Sequence, residues 1–316
     1  MRPTRRHLLS ISDLSDDELR YLVSRGAQYA TRFAAGTVGT ESPLAGHVVG
    51  VYFRKTSTRT RTAFSTGALR LGAQIVTFGP NDLQENTGES SDDTARVLSS
   101  MLDVLVARTT GTQEELERWA QQDRMSVINA MTGPEHPTQA VADLTSMMLH
   151  FGRIDGLRVL YIGEGNNTAA ALALSLSRYP SVELYLVTPP GYGLSPATSA
   201  AAAQLAEQSG CTVVETSDLS VPPSEVDIVY ATRWRTTGTS KPDPNWMDTF
   251  APYLVDEKLM ARYPDAVFMH DLPAHRGEDV TAEVLDGPTS IAFRQAENKL
   301  YSAMAVMEWC AVGRLD

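Results

Sequence analysis

The sequence predicts an α/β protein made of two doubly wound parallel-sheet domains joined by long helices. Strand-length runs rich in Val, Ile and Leu alternate with helix-length segments from end to end, the pattern of parallel sheets covered on both faces. The alternation restarts near residue 150. At 316 residues the chain is also too long for one ordinary core and suits two.

The elements follow in order. Ser15 opens a helix with Glu18 three residues on, the spacing of a capping box, and Asp16, Asp17 and Glu18 lie where negative charge is favoured. VVGVYF (48–53) leads to a helix over 58–71, and AQIVTF (73–78) to a polar loop and a helix near 91–102. DVLVAR (103–108) precedes a helix over 112–122, and SVINA (126–130) a longer one over 137–151. After the restart come LRVLYIG (157–163), a helix over 167–178, VELYLVTP (182–189), a helix over 195–209, TVVET (212–216), VDIVYAT (226–232) and AVFMHDLP (266–273). Residues 293–312 carry a helical apolar pattern through Leu300, Ala303, Met304, Met307 and Trp309.

Composition narrows the function. A formal net charge of -11 and a pI near 5.1, with no long basic stripe, argue against a nucleic-acid partner. Cys211 and Cys310 lie far apart without metal-ligand spacing, which fits a reducing compartment. No signal peptide or membrane span is read, so the expected setting is the cytoplasm.

Against that acidic background, Arg54, Lys55, Arg59 and Arg61 crowd one strand-to-helix junction, interleaved with hydroxyls. Such cations repel unless an anion lies among them, and a helix N-terminus offers unpaired N–H groups and partial positive charge to that anion. Ser57, Thr58 and Thr60 add hydroxyl donors, and Arg59 adds a planar fork. A solvated helix start would explain one hydroxyl but not the alternating arginines.

STRTR (57–61) after a strand, followed by FSTGALRLGA (64–73), resembles the carbamoyl-phosphate motif of the aspartate/ornithine carbamoyltransferase family. EHPTQAVADL (135–144) is similar to that family's second signature. GEGNNTA (163–169), TGESSDDTARVL (87–98) and DLPAHRGEDVTAEVLDGPTSIAFRQAENKLYSAMAVM (271–307) resemble its ornithine branch, all in the family's order. The resemblance implies a carbamoyl-phosphate domain from residues 1–134 plus the C-terminal helix 293–316, and an acceptor domain from 135–292, with the site in the cleft between them. It also implies a homotrimer in which a loop near 80–90 completes a neighbour's site. Carbamoyl phosphate and a small amine or peptide acceptor are the expected partners. Neither a metal nor an organic cofactor is expected.

Residue by residue, the resemblance implies that Ser57, Thr58, Arg59 and Thr60 hold the phosphate, with Arg108 reaching it or the carbonyl oxygen. His136 and Gln139 contact the carbamoyl group. Leu272 offers its carbonyl through a Leu272–Pro273 bond that is cis in the family, and Lys299 adds a charge where ornithine enzymes usually carry Arg. Asn167 meets the acceptor. The implied reaction is attack of a neutral amine on the carbamoyl carbon with departure of phosphate. The resemblance implies that Arg59, Arg108, Thr60 and His136 would meet the developing charge.

The acceptor side departs from the ornithine pattern. HCLP reads His270-Asp271-Leu272-Pro273, and the Asp of D-x-W-x-S-M-G is Thr232, followed by Trp234, Arg235, Thr236 and Thr237. Loss of a charge-assisted bond to an α-ammonium costs about 1.5–3 kcal/mol. The expectation is therefore carbamoyl transfer to a non-ornithine amine engaged by Asp271, with Thr232, Thr236, Thr237 and Arg235 beside it. Candidates are a diaminopropionate-like amino acid or a basic peptide, in the making of a specialised metabolite such as a ureido antibiotic. The alternatives are ornithine carbamoylation to citrulline, or a catalytically silent carbamoyl-phosphate-binding relative. A nicotinamide dehydrogenase is set aside because Thr168 stands at the third glycine of G-x-G-x-x-G and no acidic residue ends VELYLVTP.

Overall fold

A computed structural model describes residues 5–37, 42–109, 111–235, 241 and 243–314. They form two compact units: Met1–Ser146 with Glu297–Asp316, and Met147–Ala296. The division thus lies within a helix at Ser146, whereas the sequence reading set it at 134/135, and it returns the chain to the first unit at Glu297 rather than at 293.

The first unit begins with α1 (Asp16–Ala34), where the Ser15 hydroxyl accepts the Glu18 N–H and the Glu18 carboxylate accepts the Ser15 N–H, the reciprocal cap read from the sequence. Then follow β1 (Val48–Phe53), α2 (Arg59–Arg70), β2 (Gln74–Phe78), α3 (Ser91–Met101), β3 (Val104–Arg108), α4 (Gln113–Ala120), β4 (Ser126–Met131) and α5 (Pro137–Phe151). The strands form one parallel sheet in the order β2-β1-β3-β4. β1, β3 and β4 are buried almost throughout, while β2 is an edge strand with much of its length exposed. On one face Leu98, Leu105, Leu116, Trp119 and Val127 pack into a core.

The second unit holds β5 (Arg158–Ile162), α6 (Asn167–Leu176), β6 (Glu183–Val187), α7 (Pro196–Ser209), β7 (Thr212–Thr216) and β8 (Ile228–Ala231). It continues through α8 (Trp246–Phe250), α9 (Glu257–Met260), β9 (Val267–His270) and α10 (Ala282–Leu285), and α11 (Ala292–Ala311) then runs back into the first unit. This sheet is also parallel, in the order β7-β6-β5-β8-β9. Its core gathers Leu160, Val229, Phe268, Tyr253 and Leu285. α6 is buried along its whole length, which its run of Ala and Leu permits.

Four strands of the second unit stop earlier than read, at Ile162, Val187, Ala231 and His270, and two of these ends have a visible cause. The run 266–273 ends as a strand at His270, because the His270 ring takes the Leu272 N–H and turns the chain. The run 157–163 ends at Ile162, because Gly163 adopts φ 137, a conformation open to glycine. α8, α9 and α10 are too short to show a period and were not anticipated.

Candidate active site

All strands of each sheet run the same way, so the turns after them collect at one edge, the usual ligand position in α/β sheets. In the first unit that edge carries most of the carbamoyl-phosphate residues expected from the sequence. Phe53 pairs with Arg108 at the ends of β1 and β3, and the Arg54 N–H donates to the Arg108 carbonyl at 3.0 Å. Ser57 is half-buried in the turn after β1. Thr58 caps α2 without using its hydroxyl on the helix, Arg59 is the helix's first residue, and Thr60 is buried. Arg108 is buried at the end of β3.

One expectation fails at this junction. Arg54 is not part of an anion cradle: its guanidinium forms a two-pronged ion pair with Glu115 at 2.7 and 2.9 Å and donates to the Tyr52 hydroxyl. Arg61 is exposed on α2. The repulsion is relieved partly by the chain's own carboxylate.

The turn before α5 is held firmly. Met131 ends β4 at φ 145, rare for a residue with a side chain, and its N–H is taken by the Asn129 side chain at 2.9 Å. The buried Glu135 carboxylate accepts from the Ser10 hydroxyl and the Ile11 N–H. His136 follows, buried, with Nδ1 3.3 Å from the Thr138 hydroxyl. Gln139 donates to Asp143 at 2.7 Å, both buried. Thr60, His136, Thr138 and Lys299 line one small cavity with Ala63, Phe64 and Ala303, so three of the expected carbamoyl-phosphate residues share a space.

In the second unit, the turns after β5, β8 and β9 converge. Asn166 caps α6, accepting the Thr168 and Ala169 N–H groups, and its amide donates to the Thr232 hydroxyl at 3.2 Å. Thr232 is fully buried and donates to Asp271 at 3.1 Å, while Thr168 donates to the other Asp271 oxygen at 2.8 Å. A side chain at Gly163 would lie 2.8 Å from the Thr232 methyl, so the first turn of this trio needs glycine. Asn167 is the buried first residue of α6, Arg235 is exposed, and Thr236 and Thr237 lie outside the described residues.

His270 holds the turn that carries Asp271. Its Nδ1 accepts the Leu272 N–H at 2.8 Å, which leaves Nε2 to donate to the buried Asp279 carboxylate at 2.8 Å. Its backbone N–H donates to Gln295, which donates in turn to Tyr230. The Leu272–Pro273 bond is cis. Thr168, Asn166, His270 and Asp279 were not picked out as site residues. Thr168 adjoins Asn167 within the first turn of α6, but no sequence period links it to a residue 103 positions away.

Lys241 also went unnoticed. Its ammonium pairs with Glu164 and lies 4.7 Å from the Tyr192 ring centre and 4.8 Å from that of Phe250. Burial pulls its pKa below the ordinary lysine value, and Glu164 opposes that shift. His275, Glu278 and Asp279 are the trio of described side chains close enough to share a metal ion, but Asp279 is already engaged by His270. Among the described residues no helix is long and apolar enough to cross a membrane.

Comparison with known proteins places these geometries in a wider set. Residues 6–148 match the family model for the aspartate/ornithine carbamoyltransferase carbamoyl-P binding domain, and residues 155–310 match that for the Asp/Orn binding domain. A protein of Caldicellulosiruptor saccharolyticus named ornithine carbamoyltransferase is 36% identical over 98% of this chain and 100% of its own length. One of the same name from Symbiobacterium thermophilum is 39% identical over 96% of each chain. The solved ornithine carbamoyltransferase of Pyrococcus furiosus superposes with a TM-score of 0.91 at 31% identity, covering 99% of both chains.

Proposed function

The chain belongs to the aspartate/ornithine carbamoyltransferase family, and from that premise we propose that it moves the carbamoyl group of carbamoyl phosphate to the side-chain amine of an amino acid, ornithine first among them. The observation that carries the donor half is the shared cavity of Thr60, His136 and Lys299, at the edge where Arg108 ends β3 and Arg59 opens α2. In this reading Ser57, Thr58, Arg59 and Thr60 hold the phosphate. Arg108, His136 and Lys299 face the carbonyl oxygen and the departing phosphate, with Gln139 and the Leu272 carbonyl on the carbamoyl nitrogen. Preorganised donors there act where charge develops, and they need no rearrangement as it does.

Ornithine is favoured by the names of the relatives, against the sequence-based expectation of another acceptor. That second reading keeps one specific observation in its favour: Asp271 stands in the acceptor unit held by two threonine hydroxyls. It would serve a shorter diamino acid such as 2,3-diaminopropionate, or a basic peptide. A homotrimer with the 80–90 loop lent to a neighbour, and a cytoplasmic setting, belong to the same proposal. Citrulline formation from carbamoyl phosphate and L-ornithine, with diaminopropionate in parallel, is the test. Robust citrulline supports ornithine. Transfer to the other amine alone overturns it, and no transfer to any amine removes the enzyme reading of this site.

A further inference from the structure

Five carboxylates stand in the described turns that follow β5, β8 and β9: Glu164, Asp243, Asp271, Glu278 and Asp279. Four have other commitments or stand in water. Glu164 is neutralised by Lys241. Asp243 is exposed and accepts the Asn245 N–H at 2.8 Å, ahead of α8. Asp279 takes the His270 Nε2–H and the His275 N–H. The Glu278 side chain is 42% exposed beside His275.

Asp271 differs. Its side chain is only 13% exposed, and each oxygen receives one hydroxyl, from Thr168 and from Thr232. The nearest ring nitrogen, His270 Nδ1 at 3.5 Å, carries no proton toward it because it accepts the Leu272 N–H. Among the described residues Asp271 therefore has orienting donors but no cation. A carboxylate offers about four acceptor positions, so about two remain open. A partly desolvated carboxylate in that state favours an incoming cation.

We propose that the acceptor unit recognises its substrate through one ammonium group, held by Asp271, with no second sheltered and uncommitted carboxylate in the described turns to hold another. The acceptor class then extends from free diamino acids to amines whose remaining nitrogen is acylated, such as Nα-acylated or peptide-bound diamino acids. This rests on the carbamoyl-transfer reading and narrows its substrate.

The test is calorimetry on the full-length protein saturated with inorganic phosphate, so that no turnover occurs. At the chain length of ornithine the ligands are L-ornithine, Nα-acetyl-L-ornithine and L-norvaline, which lacks the side-chain amine. At the shorter length they are 2,3-diaminopropionate, its Nα-acetyl form and L-alanine. At the better-bound length, loss of the side-chain amine is expected to weaken binding about tenfold or more, and Nα-acetylation less than about threefold. Asp271→Asn, which keeps the size of the side chain, removes the tenfold difference. A tenfold cost of Nα-acetylation overturns the proposal, as does an undiminished difference in the Asn variant or a failure to bind any of the six compounds. A protein that behaves as expected here yet carbamoylates no amine would refute the transferase reading and leave the single-ammonium site standing.

Discussion

The hydroxyl of Thr232 donates to the carboxylate of Asp271 at 3.1 Å. These are two of the positions the sequence reading set apart from the ornithine pattern, 39 residues apart in sequence and in direct contact in the second unit. A change at either position therefore alters the surroundings of the other, and the consequences can be measured.

Thr232→Val leaves Asp271 with only the Thr168 hydroxyl. Acceptor KM should rise roughly two- to tenfold, the equivalent of one neutral-to-charged hydrogen bond partly lost, with the dissociation constant for carbamoyl phosphate unchanged. Steady-state kinetics with a donor titration in parallel reads both quantities. An equal loss on the donor side would mean the substitution had disturbed more than the acceptor turn.

Lys241→Met removes the cation paired with Glu164 and so makes the acceptor turns more negative. Discrimination in favour of free diamino acids over their Nα-acetyl forms should appear where the parent protein shows little, by several-fold at low salt. The same calorimetric series measures it.

Arg59→Lys keeps the positive charge at the start of α2 but removes the planar fork. Binding of carbamoyl phosphate should weaken by about ten- to a hundredfold if a charge-assisted pair is lost. Because Arg59 lies at a helix start outside the core, the melting temperature should move little. A large thermal shift with unchanged donor affinity would make the residue structural.

Glu308→Gln addresses stability alone. Glu308 is fully buried, receives the Arg25 guanidinium at 2.8 and 3.0 Å and contacts the Tyr29 hydroxyl, and the pairing holds the Arg25 pKa well above its ordinary value. Neutralising one partner leaves the other charge buried, with a cost of about 3–5 kcal/mol. Urea unfolding would show this as a lower midpoint.

The cap of α1 gives a pH signature. Burial resists ionisation of Glu18, but the Ser15 N–H and hydroxyl outweigh it and hold the folded pKa below the ordinary 4.5. The unfolded chain therefore binds the proton more readily, so this contribution is complete above pH 4.5 and is lost as pH falls through the lower folded value. Ser15→Ala should cost about 1 kcal/mol at neutral pH and flatten the acid limb of the stability profile.

Much of this was legible in the chain. The period of buried strands gave both sheets, and Ser15 with Glu18 gave the first cap as it is built. The cation-rich junction located the helix start at Arg59, yet one of its cations, Arg54, belongs to Glu115, a partner 61 residues on that no local pattern announces. Acceptor-side contacts were harder to foresee for the same reason. Thr168, Thr232 and Asp271 follow three different strands, and only the strand order β5-β8-β9 makes them neighbours. The Lys241–Glu164 pair likewise depends on a return of the chain that composition does not encode.

The division of the chain also bears on how the protein folds. The second unit is a single stretch, Met147–Ala296. The first is discontinuous, because Glu297–Asp316 joins it after the whole of the second in chain order. Arg25 and Glu308, the carboxylate that neutralises it, are 283 residues apart, with the whole second unit between them in the chain. Joining α11 to α1 is therefore a loop closure around an entire folded unit, a long-range step that the second unit, built from one stretch, does not have to make.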